Sequence, residues 1–215
     1  MCCTDTVKNY MKQQPKKDKI AILGGTFNPP HNGHLHLLKA FENAMDFDKI
    51  LIIPAAIPPH KEAPDLAAPE HRLNMCKLAF PTAEVCDIEI KNGGKNYTAD
   101  TLEQLKEIYP DAQFYFIMGT DMLLSFNTWR DPQRILKNAI LLCDARDDTT
   151  SVRELRNFAK LMLGLREEQF IISDVQPLPL SSTEVREKCR RGESIADLVP
   201  PAVAAYIQKE RLYER

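Results

Sequence analysis

The sequence predicts an α/β protein built on a doubly wound parallel sheet, with a small helical subdomain following it. Short apolar runs such as Ile20-Ala21-Ile22-Leu23 and Phe114 to Met118 recur along the chain, and stretches with apolar residues at helical spacing alternate with them. Strands separated by helices pair in parallel through right-handed crossovers, and sheets of this kind bind ligands beyond the carboxyl ends of their strands. With 44% hydrophobic and 27% charged residues over 215 positions, the chain can fill one core and is unlike a disordered or fibrous sequence.

The elements follow in order. Residues 1–18 are polar, carry Lys8, Lys12, Lys16 and Lys17 without a sustained period, and read as a flexible tail. The principal domain is expected over 19–181. Its first strand, Ile20 to Leu23, stops at Gly24-Gly25, and a helix follows from about Gly33 with Leu35, Leu38 and Phe41 at helical spacing. Ile50 to Ile53 is the second strand, Pro54 to Pro69 a proline-rich loop, and Arg72, Met75 and Leu78 lie on the next helix. Ala83 to Ile90 reads as a strand. Thr98 to Ile108 reads as a helix with Leu102, Leu105 and Ile108 on one face, and Phe114 to Met118 as a buried strand ending at Gly119. Ile140–Cys143 and Phe170–Ser173 are further strands, with a helix over Val152–Leu163 between them. From Ser182 the pattern is helical only, over Val185–Arg191 and Pro201–Leu212, with Val203, Ile207 and Leu212 turned inward. Residues 182–215 are therefore expected as a helical subdomain of the same unit.

A formal net charge of −2 and a pI near 6.2 give no global attraction to a polyanion, so nucleic acid is not an expected partner. No apolar run approaches the ~20 residues that span a bilayer, and the start of the chain lacks a signal peptide's apolar region, so a cytoplasmic location and no membrane partner are expected. Cys2, Cys3, Cys76, Cys86, Cys143 and Cys189 include no C-x-x-C pair and read as reduced thiols.

The densest chemical signal is Gly24-Gly25-Thr26-Phe27-Asn28-Pro29-Pro30-His31-Asn32-Gly33-His34, between the first strand and the first helix. Two glycines let the backbone approach a ligand, amides at the helix start can donate to phosphate oxygens, and Thr26 adds a hydroxyl. His31 and His34 are spaced to point the same way, with Gly33 leaving room between them. Together these favour a polyphosphate. A zinc reading of H-x-x-H lacks a nearby third ligand, and neither the Walker loop nor the G-x-G-x-x-G fingerprint occurs. Leu180-Ser181-Ser182-Thr183-Glu184-Val185-Arg186 offers a second helix start with hydroxyls and a guanidinium one turn in, although Ser-Ser-Thr-Glu by itself reads equally as a capping box. Trp129, the only tryptophan, is by residue type either a core anchor or a stacking surface; its polar setting favours a partly open ring.

His31-Asn32-Gly33-His34 resembles the H-x-G-H signature of the nucleotidyltransferase superfamily, and Leu180 to Arg186 its I-S-S-T-x-x-R motif. His60-Lys61, the segment Tyr97 to Leu102, Gly119-Thr120-Asp121 and Trp129 narrow the resemblance, over about Lys19 to Leu212, to bacterial nicotinate-nucleotide adenylyltransferases. The resemblance implies a Rossmann-like nucleotidyltransferase fold and transfer of the adenylyl group of ATP to nicotinate mononucleotide. It implies His31, His34 and Arg186 as catalytic, and ATP binding by these with Gly24, Gly25, Thr26, Phe27, Gly33, Gly119, Asp121, Ser181, Ser182 and Thr183. Lys61, Tyr97, Thr98, Trp129 and Arg146 would take the nicotinate nucleotide; Arg146 matches an R-P-G arginine, with Asp147-Asp148 following it here. Mg²⁺ would accompany ATP, held by phosphate oxygens and water without a dedicated protein ligand. Asn28 stands where many relatives have Asp, which leaves the choice between acid and amide mononucleotides open. A non-catalytic nucleotide sensor is the alternative from another class, and a homo-oligomer is compatible with the sequence.

Overall fold

A computed structural model of the chain describes residues 17–57, 65–144, 152–175 and 178–214. Most of the expected tail, Lys61 and Arg146 lie outside the described residues. A six-stranded sheet is formed by β1 (Lys19–Gly25), β2 (Lys49–Pro54), β3 (Glu84–Val85), β4 (Gln113–Met118), β5 (Ala139–Asp144) and β6 (Phe170–Ser173), in the order β3-β2-β1-β4-β5-β6. This is the doubly wound order whose direction reverses between β1 and β4. Gly24 and Gly25 are the last residues of β1, and Gly119 follows the end of β4, so both strands end at the glycines expected from the sequence. Ile20, Ala21, Ile22 and Leu23 are all buried, as are all six residues of β5, which is how strands covered on both faces read.

The helices are α1 (Asn32–Ala44), α2 (Pro69–Ala79), α3 (Ile88–Asn92), α4 (Thr98–Ile108), α5 (Thr120–Leu124), α6 (Pro132–Asn138), α7 (Val152–Leu161), α8 (Ser182–Arg190) and α9 (Pro201–Lys209). Two compact units make up the fold. One comprises residues to Leu23, Leu37–Ile50 and Tyr97–Pro177; the other Gly24–His36, Leu51–Asn96 and Leu178–Arg215. In the first, β4 pairs with β1 and β5, and Leu102, Leu105 and Ile135 are buried. In the second, α2 packs on α9, where the Tyr206 hydroxyl meets His71 Nδ1 at 2.9 Å and accepts from Asn74 at 3.1 Å.

The strand expected over Ala83 to Ile90 is instead two residues long and is followed by α3. Leu51 pairs with Glu84 and Ile52 with Val85, and the Cys86 amide still donates to the Ile52 carbonyl at 2.9 Å. The next bond of a parallel ladder would come from residue 54, but Pro54 has no N–H. The ladder ends there, and the chain turns into a short helix closed at Gly93 with φ 66°.

Two faces also differ from the sequence reading. On α2 the buried stripe is Arg72, Met75, Cys76 and Ala79, which leaves Leu78 exposed. On α4, Leu102 and Leu105 are buried while Ile108, in the last turn, is exposed. Helix α6 was not expected. Pro132 reads as a breaker, yet it occupies the first turn of α6, where its missing N–H costs nothing.

Candidate active site

The loop after β1 is packed against itself before any ligand is considered. The Ala55 amide donates to the Gly25 carbonyl at 2.9 Å. A Cβ on Gly25 would sit 3.1 Å from the Phe27 ring, a tight contact that glycine avoids. Phe27 is itself buried with a left-handed φ of 49°, its ring 5.0 Å from that of His34 and 5.9 Å from that of Phe80. The next peptide bond, Asn28-Pro29, is cis.

His31 and His34 lie ring on ring, with centroids 3.7 Å apart. The His31 amide donates to His34 Nδ1 at 3.1 Å, which assigns the His34 proton to Nε2 and makes that edge a donor. Burial pulls the His31 imidazole down to about 4, and burial together with the His31 charge holds His34 well below its ordinary value. Both rings are thus neutral at neutral pH. His31 Nδ1 is buried without a partner, and a Cβ on Gly33 would meet this ring at 3.0 Å and the Leu178 carbonyl at 3.3 Å. Helix α1 opens beside them, with the Asn32 amide on the Leu198 carbonyl at 2.8 Å and its side chain on the Asp197 carbonyl at 3.0 Å.

Helix α8 belongs to the same unit and is tied to the same loop. Ser182 Oγ donates to the Pro29 carbonyl at 2.8 Å, and Arg186 Nη1 donates to the Asn28 carbonyl at 2.9 Å, 158 residues away in sequence. Arg186 Nη2 reaches Thr183 Oγ1 at 3.3 Å, while its Nε is buried with no partner. Ser181 caps α8 by accepting from the Glu184 amide at 3.1 Å, so the capping role and the recognition motif share one segment. His31, His34, Ser182, Thr183 and Arg186, read from opposite ends of the sequence, therefore stand in one hydrogen-bonded group.

Sequence reasoning missed two members of that group, Arg72 and Tyr213, and the structural role of a third, Asn28. Arg72 is fully buried and donates to four backbone carbonyls: Ala67 at 3.1 Å, Thr26 at 2.9 Å, Ala55 at 2.5 Å and Ala56 at 2.9 Å. Its only sequence signal was an arginine on the apolar stripe of α2. Asn28 is buried too, donating to the Asp65 carbonyl at 2.9 Å and accepting from the Ala67 amide at 3.0 Å and the Tyr213 hydroxyl at 2.7 Å. Both polar atoms of its amide are thus engaged inside the protein. Nothing in the sequence marked Tyr213.

The other unit carries the remaining candidates. Gly119 precedes α5, and a Cβ there would meet Asp121 Oδ1 at 2.9 Å. Beneath the start of α5, buried Asp144 accepts from the Thr120 amide at 3.1 Å, and Thr120 Oγ1 donates to the Asp144 carbonyl at 2.6 Å. Trp129 is half-buried, edge-on to Phe116 at 6.1 Å and tilted against Phe126 at 5.6 Å. Arg130 lies 4.5 Å from the centroid of the Tyr97 ring, and Arg134 pairs with Asp100 at 2.9 Å, with Asp131 at 3.3 Å and with Glu103. Tyr97 precedes α4 and Thr98 begins it, so the α4 start and the Trp129 turn are linked. Among the described residues, no group of three or more His, Cys, Asp and Glu side chains could hold a metal ion, and no helix is long and apolar enough to cross a membrane.

Residues 22–188 match the cytidylyltransferase-like family model. The chain is 38% identical to the "Probable nicotinate-nucleotide adenylyltransferase" of Clostridium tetani, over 91% of this chain and 98% of that one. It is 37% identical to the protein of the same name in Dehalococcoides mccartyi strain BAV1, over 92% and 98%. The chain belongs to the nicotinate-nucleotide adenylyltransferase family. A solved structure of the family's fold, "Plasmodium falciparum nicotinic acid mononucleotide adenylyltransferase complexed with NaAD", aligns with a TM-score of 0.73 at 20% identity, covering 92% of this chain and 98% of that one. The structure of a "Putative Nicotinate-nucleotide Adenylyltransferase from Vibrio parahaemolyticus" aligns at 0.65 and 21%, covering 92% and 96%. The doubly wound order found here is therefore shared with members of this family.

Proposed function

We propose that this protein transfers the adenylyl group of ATP to the 5′-phosphate of nicotinate mononucleotide, giving nicotinate adenine dinucleotide and pyrophosphate. The observation that carries the reading is the bond from Arg186 to the Asn28 carbonyl, which places a guanidinium on the loop that presents the stacked imidazoles. Two neutral rings and an arginine beside the start of α1 form a donor set suited to phosphate oxygens.

An oxygen of the acceptor phosphate attacks the α-phosphorus of ATP in line. The new P–O bond forms as the bond to the bridging oxygen breaks, and the electron pair leaves on pyrophosphate. The nucleophile is already an anion, so no base is needed, and the protein's contribution is alignment and stabilisation of charge on the phosphate oxygens. His34 donates from Nε2, His31 lies against it, and Arg186 and the α8 start meet the leaving group. Mg²⁺ arrives with ATP as part of that substrate, coordinated by phosphate oxygens and water. Gly119 and Asp121 are assigned to the nucleotide, and Trp129 with Tyr97 and Thr98 to the pyridine nucleotide, where the half-open indole offers a stacking face. Lys61 and Arg146 are assigned to the acceptor on the resemblance alone.

The test is pyrophosphate release with ATP and Mg²⁺, offering the acid and amide mononucleotides in parallel. A specificity constant at least about tenfold higher for the acid is expected. Equal constants would redirect the assignment to a dual-substrate transferase, and tight ATP binding without release to a sensor.

A further inference from the structure

Asn28 is a junction. Its backbone carbonyl holds Arg186 at 2.9 Å, its Nδ2 donates to the Asp65 carbonyl at 2.9 Å, and its Oδ1 accepts from the Ala67 amide at 3.0 Å. The fourth partner comes from 185 residues away, where the Tyr213 hydroxyl donates to Oδ1 at 2.7 Å. Asp65 is in turn ion-paired with Arg190 of α8. One amide side chain thus joins the histidine loop, the approach to α2, and the segment after α9.

The backbone at that last segment is bent to deliver the phenol. Arg211 and Tyr213 both have left-handed φ values, 51° and 67°, which residues with side chains rarely adopt and keep only when surrounding contacts fix them. The Leu212 amide closes on the Ile207 carbonyl at 3.0 Å, capping α9 on the way. Burial pushes the phenol above its ordinary range, so it remains a donor through the alkaline range in which the enzyme would be assayed. No substrate group is needed to explain Tyr213, since its one polar atom is already spent on Asn28.

We propose that Tyr213 is a positioning residue for adenylyl transfer: its hydroxyl fixes the Asn28 side chain and, through it, the loop that carries His31 and His34. The loop leaves Asn28 through Pro29 and Pro30 and reaches His31 without any regular element between, so the angle set at Asn28 passes directly to the imidazoles. Arg72 secures the loop on the other flank, at Thr26. The inference rests on the adenylyl-transfer reading for its kinetic arm only.

The experiment is a double-mutant cycle on the full chain, with rates normalised to ATP sites titrated in each variant. Tyr213→Phe keeps the ring and loses the hydroxyl; kcat/KM should fall about fivefold, the effect of one lost hydrogen bond. In an Asn28→Ala background the same substitution should change kcat/KM by less than about twofold, because the group it acts through is gone. Equal losses in both backgrounds, or no loss in the parent, overturn the inference. Should Asn28→Ala fail to fold, Asn28→Leu of similar volume takes its place. Amide hydrogen exchange over residues 26–34 provides the arm that needs no turnover: Tyr213→Phe should raise exchange there, and unchanged protection overturns the inference. A parent protein that releases no pyrophosphate with either mononucleotide ends the adenylyl-transfer reading, while the exchange result still decides whether Tyr213 holds the loop.

Discussion

The histidine loop and the Trp129 region are built by opposite means. Around His31 and His34 the protein is buried and closed on itself: Phe27, Asn28 and His31 are almost inaccessible, and Arg72, Arg186, Ser182 and Tyr213 hold the loop through its own backbone and through Asn28. Around Trp129 the ties are charged side chains near the surface, with Arg130 exposed, Arg134 half-buried and their carboxylate partners partly open to water. Buried hydrogen bonds are costly to break, while exposed ion pairs are screened and contribute little each. The proposed function assigns phosphate to the first region, whose loop is already held by buried bonds as stabilising a transition state requires, and the pyridine ring to the second, whose ties lie nearer to water.

The largest expected effect tests the rigid side. His34→Ala should lower turnover on the order of 100-fold or more with the fold retained, measured by pyrophosphate release; near-normal turnover would remove His34 from the transition state. Next come matched glycine substitutions. Gly33→Ala drives a methyl into the His31 ring and a backbone carbonyl and should reduce kcat about tenfold or more, whereas Gly119→Ala meets the end of an exposed Asp121 side chain that can swing away and should cost only a few-fold. Similar losses at both glycines would erase the contrast. Trp129→Ala should raise KM for the pyridine mononucleotide about tenfold with KM for ATP within about twofold; equal increases would make the indole core.

Stability against pH is a separate test of the same buried region. Folding depresses the His31 pKa from 6.5 to about 4, so the folded state favours the neutral ring. The stabilisation is complete above 6.5 and is lost as pH falls from 6.5 towards 4, by about 3 kcal/mol at most. Thermal melts of the parent and of His31→Asn should therefore converge as pH drops through this window. A constant gap would mean that His31 is not held neutral by burial.

Much of the fold is legible in the sequence. Apolar runs ending at Gly24 and Gly119 fixed the sheet because parallel strands covered on both faces tolerate few polar residues. The His31 to His34 spacing and the Ser181 to Arg186 segment were readable because both are local, each set around one helix start. The strand expected over Ala83 to Ile90 was not, since its end depends on Pro54 of a neighbouring strand.

By itself, then, the sequence determined the alternation of most strands and helices and the local spacing of the imidazoles and of the Ser181 to Arg186 segment, properties that neighbours along the chain impose on one another. Only the tertiary structure decided that Arg72 would sit fully buried on carbonyls, that Asn28 would face inward and that Tyr213 would close on it. A buried polar group needs a partner, and which backbone groups remain unpaired can be known only once distant segments have met.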